Sequence, residues 1–169
     1  MTVTMSEALW FLPFIVPVCL FVAWSDMKFM RIPNKTVLLL VGVFAVVGLV
    51  ALPLVDYAWR WVHLIVILLI GFIASSAGLV GAGDAKFAAA MAPFFAFGDA
   101  ALVLMLFSAI LLGAFVTHRI ARAIPAVRRA LPDWESWTRK RDFPMGLALS
   151  GTLMFYFLLP VILPGITLS

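Results

Sequence analysis

The sequence has few of the residues that build disulfides, metal sites and charged surfaces. Among its 169 residues there are one cysteine, Cys19, and two histidines, and only 12% carry a charge. A single cysteine excludes an internal disulfide and a cysteine-based zinc site, and neither His63 nor His118 has partners at the spacing of metal ligands. The low charge, about half of the usual 25%, excludes a nucleic-acid-binding domain and a disordered chain. We therefore expect no metal, no cofactor and no nucleic-acid partner.

Apolar residues make up 65% of the chain, which is more than a soluble domain of this size can bury. A helix that crosses the bilayer needs about 20 apolar residues. Five long apolar stretches meet this need, and a sixth is short and contains Pro93. The five lie at residues 8–24, 37–55, 61–80, 101–117 and 144–168, and the sixth lies at 87–97. The sequence predicts an all-α polytopic membrane protein that forms one domain over residues 1–169.

The positions of the basic residues indicate whether the short sixth stretch crosses the membrane. If it does, 11 of the 12 lysines and arginines fall on one side and Arg60 alone falls on the other. If it turns back, the split becomes 8 against 4. Because basic loops remain in the cytoplasm, we expect six transmembrane helices, the fourth of them short, in the inner (cytoplasmic) membrane. Both termini then lie outside the cytoplasm.

The longest polar segment, residues 118–143, is a basic cytoplasmic loop in this topology. Its arginines and the pair Trp134 and Trp137 favour a helix that lies along anionic lipid headgroups. A solvated, positively charged loop is the alternative interpretation. Three acidic residues also fall in the loop, where we expect ion pairs with arginine: Asp133, Glu135 and Asp142.

Two of the eight acidic residues follow directly on predicted spans. Asp26 comes after the first span and Asp84 after the third, so that both carboxylates lie at the same membrane face. Gly81 and Gly83 permit a positive φ and a close approach of the backbone to another helix. Two adjacent carboxylates hold one proton near neutral pH, so that one accepts a proton from water while the other donates to a carbonyl oxygen. The pattern favours peptide hydrolysis by a pair of aspartates.

A structural role for each aspartate is the alternative. The run Gly-x-Gly-Asp84 also fits a helix C-cap followed by an N-cap. Asp26 also has Lys28 and Arg31 nearby in the sequence as possible ion-pair partners. The remaining acidic residues are expected in outer loops: Glu7, Asp56 and Asp99.

Three short motifs occur in order along the chain. They are Asp26 followed by Arg31-Ile-Pro-Asn34, then Gly81-Ala-Gly-Asp-Ala-Lys86, and then Phe143-Pro-Met-Gly-Leu-Ala148 at the start of the last span. Together they resemble the type IV prepilin peptidases, which are membrane aspartic proteases of the GxGD type, and the resemblance covers nearly the whole chain. It implies that Asp26 and Asp84 are the catalytic pair. It also implies supporting roles for eight further residues of these motifs: Gly81, Gly83, Lys86, Arg31, Pro33, Asn34, Pro144 and Gly146.

The resemblance further implies the substrate, which is the short basic leader of a prepilin or pseudopilin. Such a leader is cut on the cytoplasmic side, after a glycine that precedes the apolar pilin helix. Lys86 and Arg31 then either recognise acidic groups of the substrate or anchor the protein at the headgroup boundary. Bifunctional members of the family carry an N-terminal cytoplasmic region with two CxxC pairs, which is associated with N-methylation. This sequence has no such pairs, and we expect a peptidase-only form.

Two other functions remain open. A small proton- or ion-coupled transporter subunit also holds acidic residues in the membrane, but near its midplane, whereas both aspartates here follow the ends of spans. A non-catalytic assembly factor of a pilus or secretion machine is the second alternative.

Overall fold

The computed structural model describes residues 2–139 and 142–163, and this part of the chain is helical, with no strand. The α-helices are α1 (Met5–Phe29), α2 (Asn34–Ala51), α3 (Leu54–Ser76), α4 (Ala82–Met91), α5 (Ala100–Ala123), α6 (Pro125–Ala130) and α7 (Met145–Ile162). Three short 3-10 turns lie at Ala92–Phe94, Phe97–Asp99 and Glu135–Trp137. The predicted all-helical class is confirmed.

Five helical segments of the described chain are long and apolar enough to cross a membrane: Met5–Phe29, Asn34–Ala51, Leu54–Ser76, Phe97–Ala123 and Met145–Ile162. The fourth predicted span differs, because α4 has only 10 residues. At 1.5 Å per residue it is about 15 Å long, which is half of the hydrocarbon core. Proline lacks an N–H, and around Pro93 the chain leaves the α-helix and continues in 3-10 turns. The count of six spans therefore stays a prediction.

The segment that contains α4 nevertheless joins the two ends of the helix bundle. Near its start, Gly83 packs beside Ile32 in the connection between α1 and α2. At its other end, Asp99 accepts a hydrogen bond of 2.8 Å from the backbone N–H of Thr2, just before α1. We call these the Asp26 end and the Asp99 end of the bundle. The helices α2, α4 and α7 begin at the Asp26 end, where α1 finishes.

A cluster of aromatic side chains between the two ends holds the helices together. The ring of Phe11 lies 5.2 Å from that of Phe94 and 5.3 Å from that of Phe157, and Phe44 lies 5.3 Å from Phe94. All four side chains are fully buried. Such aromatic pairs contribute about 0.5–1.5 kcal/mol each beyond the area that they bury. The cluster joins α1, α2, α7 and the turn that follows α4.

The helices α3 and α5 have almost no fully buried residues inside the protein. Arg60 is the one buried residue of α3, and His118 is the one buried residue of α5. Large side chains such as Leu69, Phe72 and Leu104 are 59%, 69% and 66% exposed. Extended apolar surface of this kind is unfavourable in water and marks a contact with lipid. The exposed helices fit an inner-membrane protein.

Several residues that were expected in loops belong to helices. The helix α1 continues to Phe29, so that Asp26 lies in its last turns, and α5 continues to Ala123, so that residues 118–123 of the predicted basic loop are helical. The short exposed helix α6 follows directly. The expectation of ion pairs in this loop is confirmed at Arg139, which lies 3.6 Å from Glu135 and 3.3 Å from Asp142.

The three acidic residues that were expected in outer loops lie instead at the starts of helices. Glu7 and Thr4 form a capping box at the start of α1, with bonds of 2.9 and 3.2 Å, and Asp56 lies in the first turn of α3. Asp99 precedes α5, is only 3% exposed and accepts a hydrogen bond of 2.7 Å from the hydroxyl of Tyr156. Acidic residues favour these positions because the first N–H groups of a helix have no partner within it.

Candidate active site

Asp26 lies near the end of α1 and is almost completely buried. Its side chain is 5% exposed, and its Oδ2 accepts a hydrogen bond of 2.7 Å from the backbone N–H of Gly146. Its own carbonyl accepts a bond of 2.9 Å from the N–H of Met30, which ends the helix in a left-handed conformation with φ of 51°. The carboxylate is therefore fixed between the end of α1 and the start of α7.

The start of α7 reaches Asp26 this closely because position 146 is a glycine. A Cβ atom at Gly146 would lie 2.9 Å from Oδ2, 3.0 Å from Cβ and 3.1 Å from Cγ of Asp26. These distances are too short for carbon, so that any larger residue displaces the carboxylate. Pro144 immediately precedes α7 as its N-cap. The last of the three motifs thus contacts the first one directly.

Asp84 lies in the first turn of α4, which begins after the N-cap residue Gly81. A Cβ atom at Gly81 would lie 2.6 Å from Oδ2 of Asp84, whereas one at Gly83 would make an ordinary contact of 3.7 Å with Ile32. Gly81 has a φ of −62°, and Gly78 is the one glycine of the described chain with a positive φ. The expected positive φ at Gly81 and Gly83 is therefore wrong. A side chain at position 81 would instead crowd the carboxylate of Asp84.

Asp26 and Asp84 line the same cavity. Its volume is about 980 Å³, and it lies at the Asp26 end of the bundle. Its walls come from the connection between α1 and α2, from the start of α4 and from the segment that leads into α7. Besides the two aspartates, the motif residues that line it include Arg31, Pro33 and Asn34 of the first motif, Gly81, Gly83 and Lys86 of the second, and Phe143 and Met145 of the third. The structure thus brings residues of all three motifs to one cavity, and Gly146 of the third motif contacts Asp26.

The two carboxylates are close enough to influence each other. Burial, and to a smaller extent the negative charge of Asp26, raise the pKa of Asp84 from its usual 3.8 to about 6. A carboxylic acid with this pKa is about half protonated at about pH 6 and about one-tenth protonated at about pH 7. Asp84 can therefore donate a hydrogen bond as well as accept one, as a proton-sharing pair of carboxylates requires.

The structural alternatives for the two aspartates do not match the contacts. Lys28 lies over the rings of Trp24 and Phe29, at 5.4 and 5.1 Å, and no ion pair within residues 2–139 and 142–163 joins Asp26 to a lysine or an arginine. The N-cap of α4 is Gly81, with no side-chain cap bond. Neither aspartate therefore has the ordinary structural partner that its sequence neighbourhood offers.

The side chain of Lys86 and the backbone of Arg31 form hydrogen bonds beside the cavity. Lys86 donates a hydrogen bond of 3.4 Å to Oδ1 of Asn34, which links α4 to the start of α2. The carbonyl of Arg31 accepts a bond of 3.0 Å from the hydroxyl of Ser25, while Pro33 is the N-cap of α2. These bonds hold the connection between α1 and α2 beside the cavity.

The cavity also has residues that the sequence did not indicate. Glu135, Arg139 and Asp142 form a charged triad on its wall. With Asp26 and Asp84, they bring four of the eight acidic residues of the chain to one cavity. The spacing of these residues indicates ion pairs only, and no local pattern indicates that the loop returns to the catalytic motifs.

The described residues do not provide a metal site. No group of three or more histidine, cysteine, aspartate or glutamate side chains within residues 2–139 and 142–163 has the arrangement of a metal-binding cluster.

Long apolar helices with a cavity at one end that contains two aspartates define the class as a polytopic membrane protein with an acidic polar site. Comparison with known families gives a more specific result. The model of the type IV leader peptidase family matches residues 13–118, which is more than half of the chain and contains both aspartates. The chain belongs to the type IV leader peptidase family. Separate comparisons with curated proteins and with solved structures return no match.

Membership of this family makes a peptidase the expected activity and a prepilin-type protein the expected class of substrate. The match ends before Pro144 and Gly146. Their place beside Asp26 comes from the structure, through the bond from the N–H of Gly146.

Proposed function

We propose that this protein is an aspartic endopeptidase that removes the leader peptide of a type IV prepilin or related pseudopilin. The observation that carries the proposal is the shared cavity, in which Asp26 and Asp84 come together from α1 and α4. The family match supports leader peptidase activity. The position of both aspartates near helix ends, rather than at mid-helix, argues against a transport carboxylate, which belongs near the membrane midplane.

The proposed reaction divides two roles between the aspartates. Asp26, ionised and held by the N–H of Gly146, accepts a proton from a water molecule as the water oxygen attacks the carbonyl carbon of the scissile peptide. Asp84, which carries the shared proton, donates it to the carbonyl oxygen. A tetrahedral diol forms, and its collapse breaks the C–N bond. The leaving amine takes the proton from Asp26, and a proton of the diol returns to Asp84.

The charges of the protein support a cytoplasmic cleavage site. Every described lysine and arginine except Arg60 belongs to a segment at the Asp26 end, whereas Arg60 donates a hydrogen bond to Phe94 near the other end. Basic segments remain in the cytoplasm. We propose that the cavity faces the cytoplasm and that both termini lie on the opposite side.

The cavity has features that fit a basic leader joined to an apolar helix. Asp26, Asp84, Glu135 and Asp142 supply negative charge within it, and exposed apolar residues such as Phe29, Leu79 and Val80 lie at its rim. The apolar helix of the pilin then lies among the membrane helices while its leader enters the cavity. We further propose that the protein cleaves without N-methylating the product.

The test is incubation of the purified protein in detergent with a candidate prepilin, followed by mass spectrometry of both fragments. We expect one cut, between the basic leader and the apolar helix, and a new N terminus without a methyl group even when a methyl donor is present. Asp133→Asn is the control for the acidic residues of the cavity. Asp133 belongs to the same polar segment as Glu135 and Asp142 but does not line the cavity, so this variant should cleave like the wild type. Absence of cleavage for several prepilins of this kind would refute the proposal.

A further inference from the structure

A second cleft lies beside the catalytic cavity, at the end of α5. Its volume is about 800 Å³, and one side is formed by Arg122 at the end of α5 and by Arg128 and Arg129 on α6. Trp137 and Thr138 form the opposite side. None of the described residues that line it is acidic, so that three guanidinium groups border a space large enough for a small anionic group.

Two of the three arginines are free to bind a ligand. Arg128 and Arg129 are exposed, and neither side chain has an ion-pair or hydrogen-bond partner among residues 2–139 and 142–163. Arg122 donates a hydrogen bond of 3.2 Å to the carbonyl of Arg139, which uses one of its five donor N–H groups. The planar fork of a guanidinium matches the oxygens of a phosphate.

The surroundings of the cleft are those of a membrane–water boundary. It lies where a helix long and apolar enough to cross the bilayer ends, and Ile120 and Ile124 are 58% and 43% exposed next to it. The rings of Trp134 and Trp137 stack at 5.5 Å, and tryptophan is enriched at the level of the headgroups. A ligand of this cleft therefore has an acyl environment on one side and water on the other.

We infer that the cleft binds the phosphate of an anionic phospholipid, of the phosphatidylglycerol class, whose acyl chains lie along the exposed face of α5. The three arginines supply charge-assisted hydrogen bonds to the phosphate oxygens. The exposed isoleucines at the end of α5 supply apolar contact for the first carbons of the chains.

Binding in the cleft also affects the catalytic cavity, and this part of the inference rests on the proposed function. Arg139 and Glu135 line the catalytic cavity, while Trp137 and Thr138, between them in the chain, line the cleft. The bond from Arg122 to the carbonyl of Arg139 joins the two sites. A headgroup held in the cleft therefore stabilises the segment that forms one wall of the catalytic cavity.

The binding test compares two double variants by native mass spectrometry in detergent. Short-chain phosphatidylglycerol is titrated against phosphatidylcholine with the same chains. We expect the wild type to prefer phosphatidylglycerol, and Arg128→Gln/Arg129→Gln to bind it about tenfold more weakly. Lys28→Gln/Lys35→Gln is the matched control, since it removes the same charge at the same end of the protein, and it should bind within about twofold of the wild type.

Three outcomes would overturn the inference. If both double variants bind phosphatidylglycerol equally weakly, anionic lipid is attracted to the basic surface in general and not to the cleft. Equal binding of the two lipids would show that the charge of the headgroup has no role. Displacement of phosphatidylglycerol by an equal concentration of inorganic phosphate would show a site for soluble phosphate instead. Matching thermal unfolding curves of the two variants establish that both are folded.

The activity test is separate and uses nanodiscs. Cleavage of the prepilin by the wild type should rise severalfold when phosphatidylglycerol replaces part of the phosphatidylcholine, and the rise should be absent in Arg128→Gln/Arg129→Gln. An equal rise in both proteins would contradict the link between the two sites. If no prepilin is cut in any lipid, the proposed function fails while the binding result stands.

Discussion

The backbone N–H of Gly146, at the start of α7, donates a buried hydrogen bond of 2.7 Å to the carboxylate of Asp26, near the end of α1, across 120 positions of the sequence. A hydrogen bond to a charged acceptor is roughly twice as strong as one between neutral groups. This contact fixes one of the two proposed catalytic groups at the wall of the cavity. The orientation of Asp26 therefore depends on how α7 packs.

The substitution Gly146→Ala tests this dependence. The added Cβ atom would lie 2.9 Å from Oδ2 of Asp26, so that the carboxylate must move, and a displacement of about 1 Å can lower a rate about 100-fold. We expect kcat for leader cleavage to fall about 10- to 100-fold, while the protein still inserts and accumulates, because alanine favours a helix more than glycine does.

Gly113→Ala is the control for this substitution. Gly113 lies on α5, and a Cβ atom there meets nothing within 4 Å, so that its kcat should equal that of the wild type. Equal activity in both variants would show that the contact between Gly146 and Asp26 does not position a catalytic group.

The rate of cleavage should depend on the protonation of Asp84. Its pKa is raised to about 6, and the proposed mechanism needs its protonated form. As the pH rises through about 6, Asp84 loses its proton and kcat should fall. A profile of kcat from about pH 5 to about pH 9 should show this alkaline limb. A rate that stays constant or increases from about pH 6 to about pH 8 would contradict the proposed role of Asp84 as the acid.

The same raised pKa predicts that Asp84 destabilises the folded protein at neutral pH. Between its usual pKa of 3.8 and about 6, the unfolded chain releases the proton while the folded protein retains it, so that rising pH favours unfolding. Asp84→Asn removes this cost. At pH 7 we expect the variant to be more stable by on the order of 1 kcal/mol, allowing for partial exposure, which corresponds to about 2–4 °C in Tm.

Thermal unfolding in detergent at two pH values measures this effect. The gain of Asp84→Asn over the wild type should be present at pH 7 and nearly absent near about pH 3, which lies below both pKa values, so that the folded and the unfolded wild type both carry the proton. A lower Tm of the variant at pH 7, or an equal gain at both pH values, would contradict a raised pKa at Asp84.

The hydrogen bond between Tyr156 and Asp99 predicts an effect on stability without an effect on chemistry. Tyr156→Phe removes a buried bond of 2.7 Å to a carboxylate, and such bonds contribute about 1.5–3 kcal/mol. We expect a loss of this size in thermal unfolding. Since Tyr156 contacts the Asp99 end of the bundle, kcat of the folded protein should stay within about twofold.

Tyr57→Phe is the matched control for this prediction. The hydroxyl of Tyr57 donates a part-buried bond of 3.0 Å to the carbonyl of Ala45, a neutral acceptor, and its loss should cost only about 0.5–1.5 kcal/mol. A large loss of kcat in Tyr156→Phe with unchanged unfolding would show that the Asp99 end takes part in catalysis.

The long helices were predictable from the sequence because apolar runs of this length have few other structures. The ends of the helices were harder to predict. Asp26 interrupts the apolar run and reads as a loop residue, yet α1 continues until Met30 adopts a left-handed conformation. The start of α4 was also missed, because Gly81 and Gly83 read as a turn, whereas the helix begins directly after Gly81.

The meeting of Asp26 and Asp84 followed from counting the passages between them, and the structure brings both to one cavity. The contact of Gly146 with Asp26 was not predictable from the residues alone, since it depends on how α1 and α7 pack. The approach of Glu135 and Asp142 to the cavity depends in the same way on the path of a polar segment, which has no apolar periodicity to define it.

The most direct measurement of the central claim is leader cleavage by Asp26→Asn and by Asp84→Asn, each reconstituted and followed by mass spectrometry of the products. Asparagine keeps the shape of aspartate but does not accept the proton of water or share one. We expect both variants to insert and accumulate like the wild type and to cleave at least about 1,000-fold more slowly. Cleavage by either variant at the rate of the wild type would contradict catalysis by this pair of aspartates.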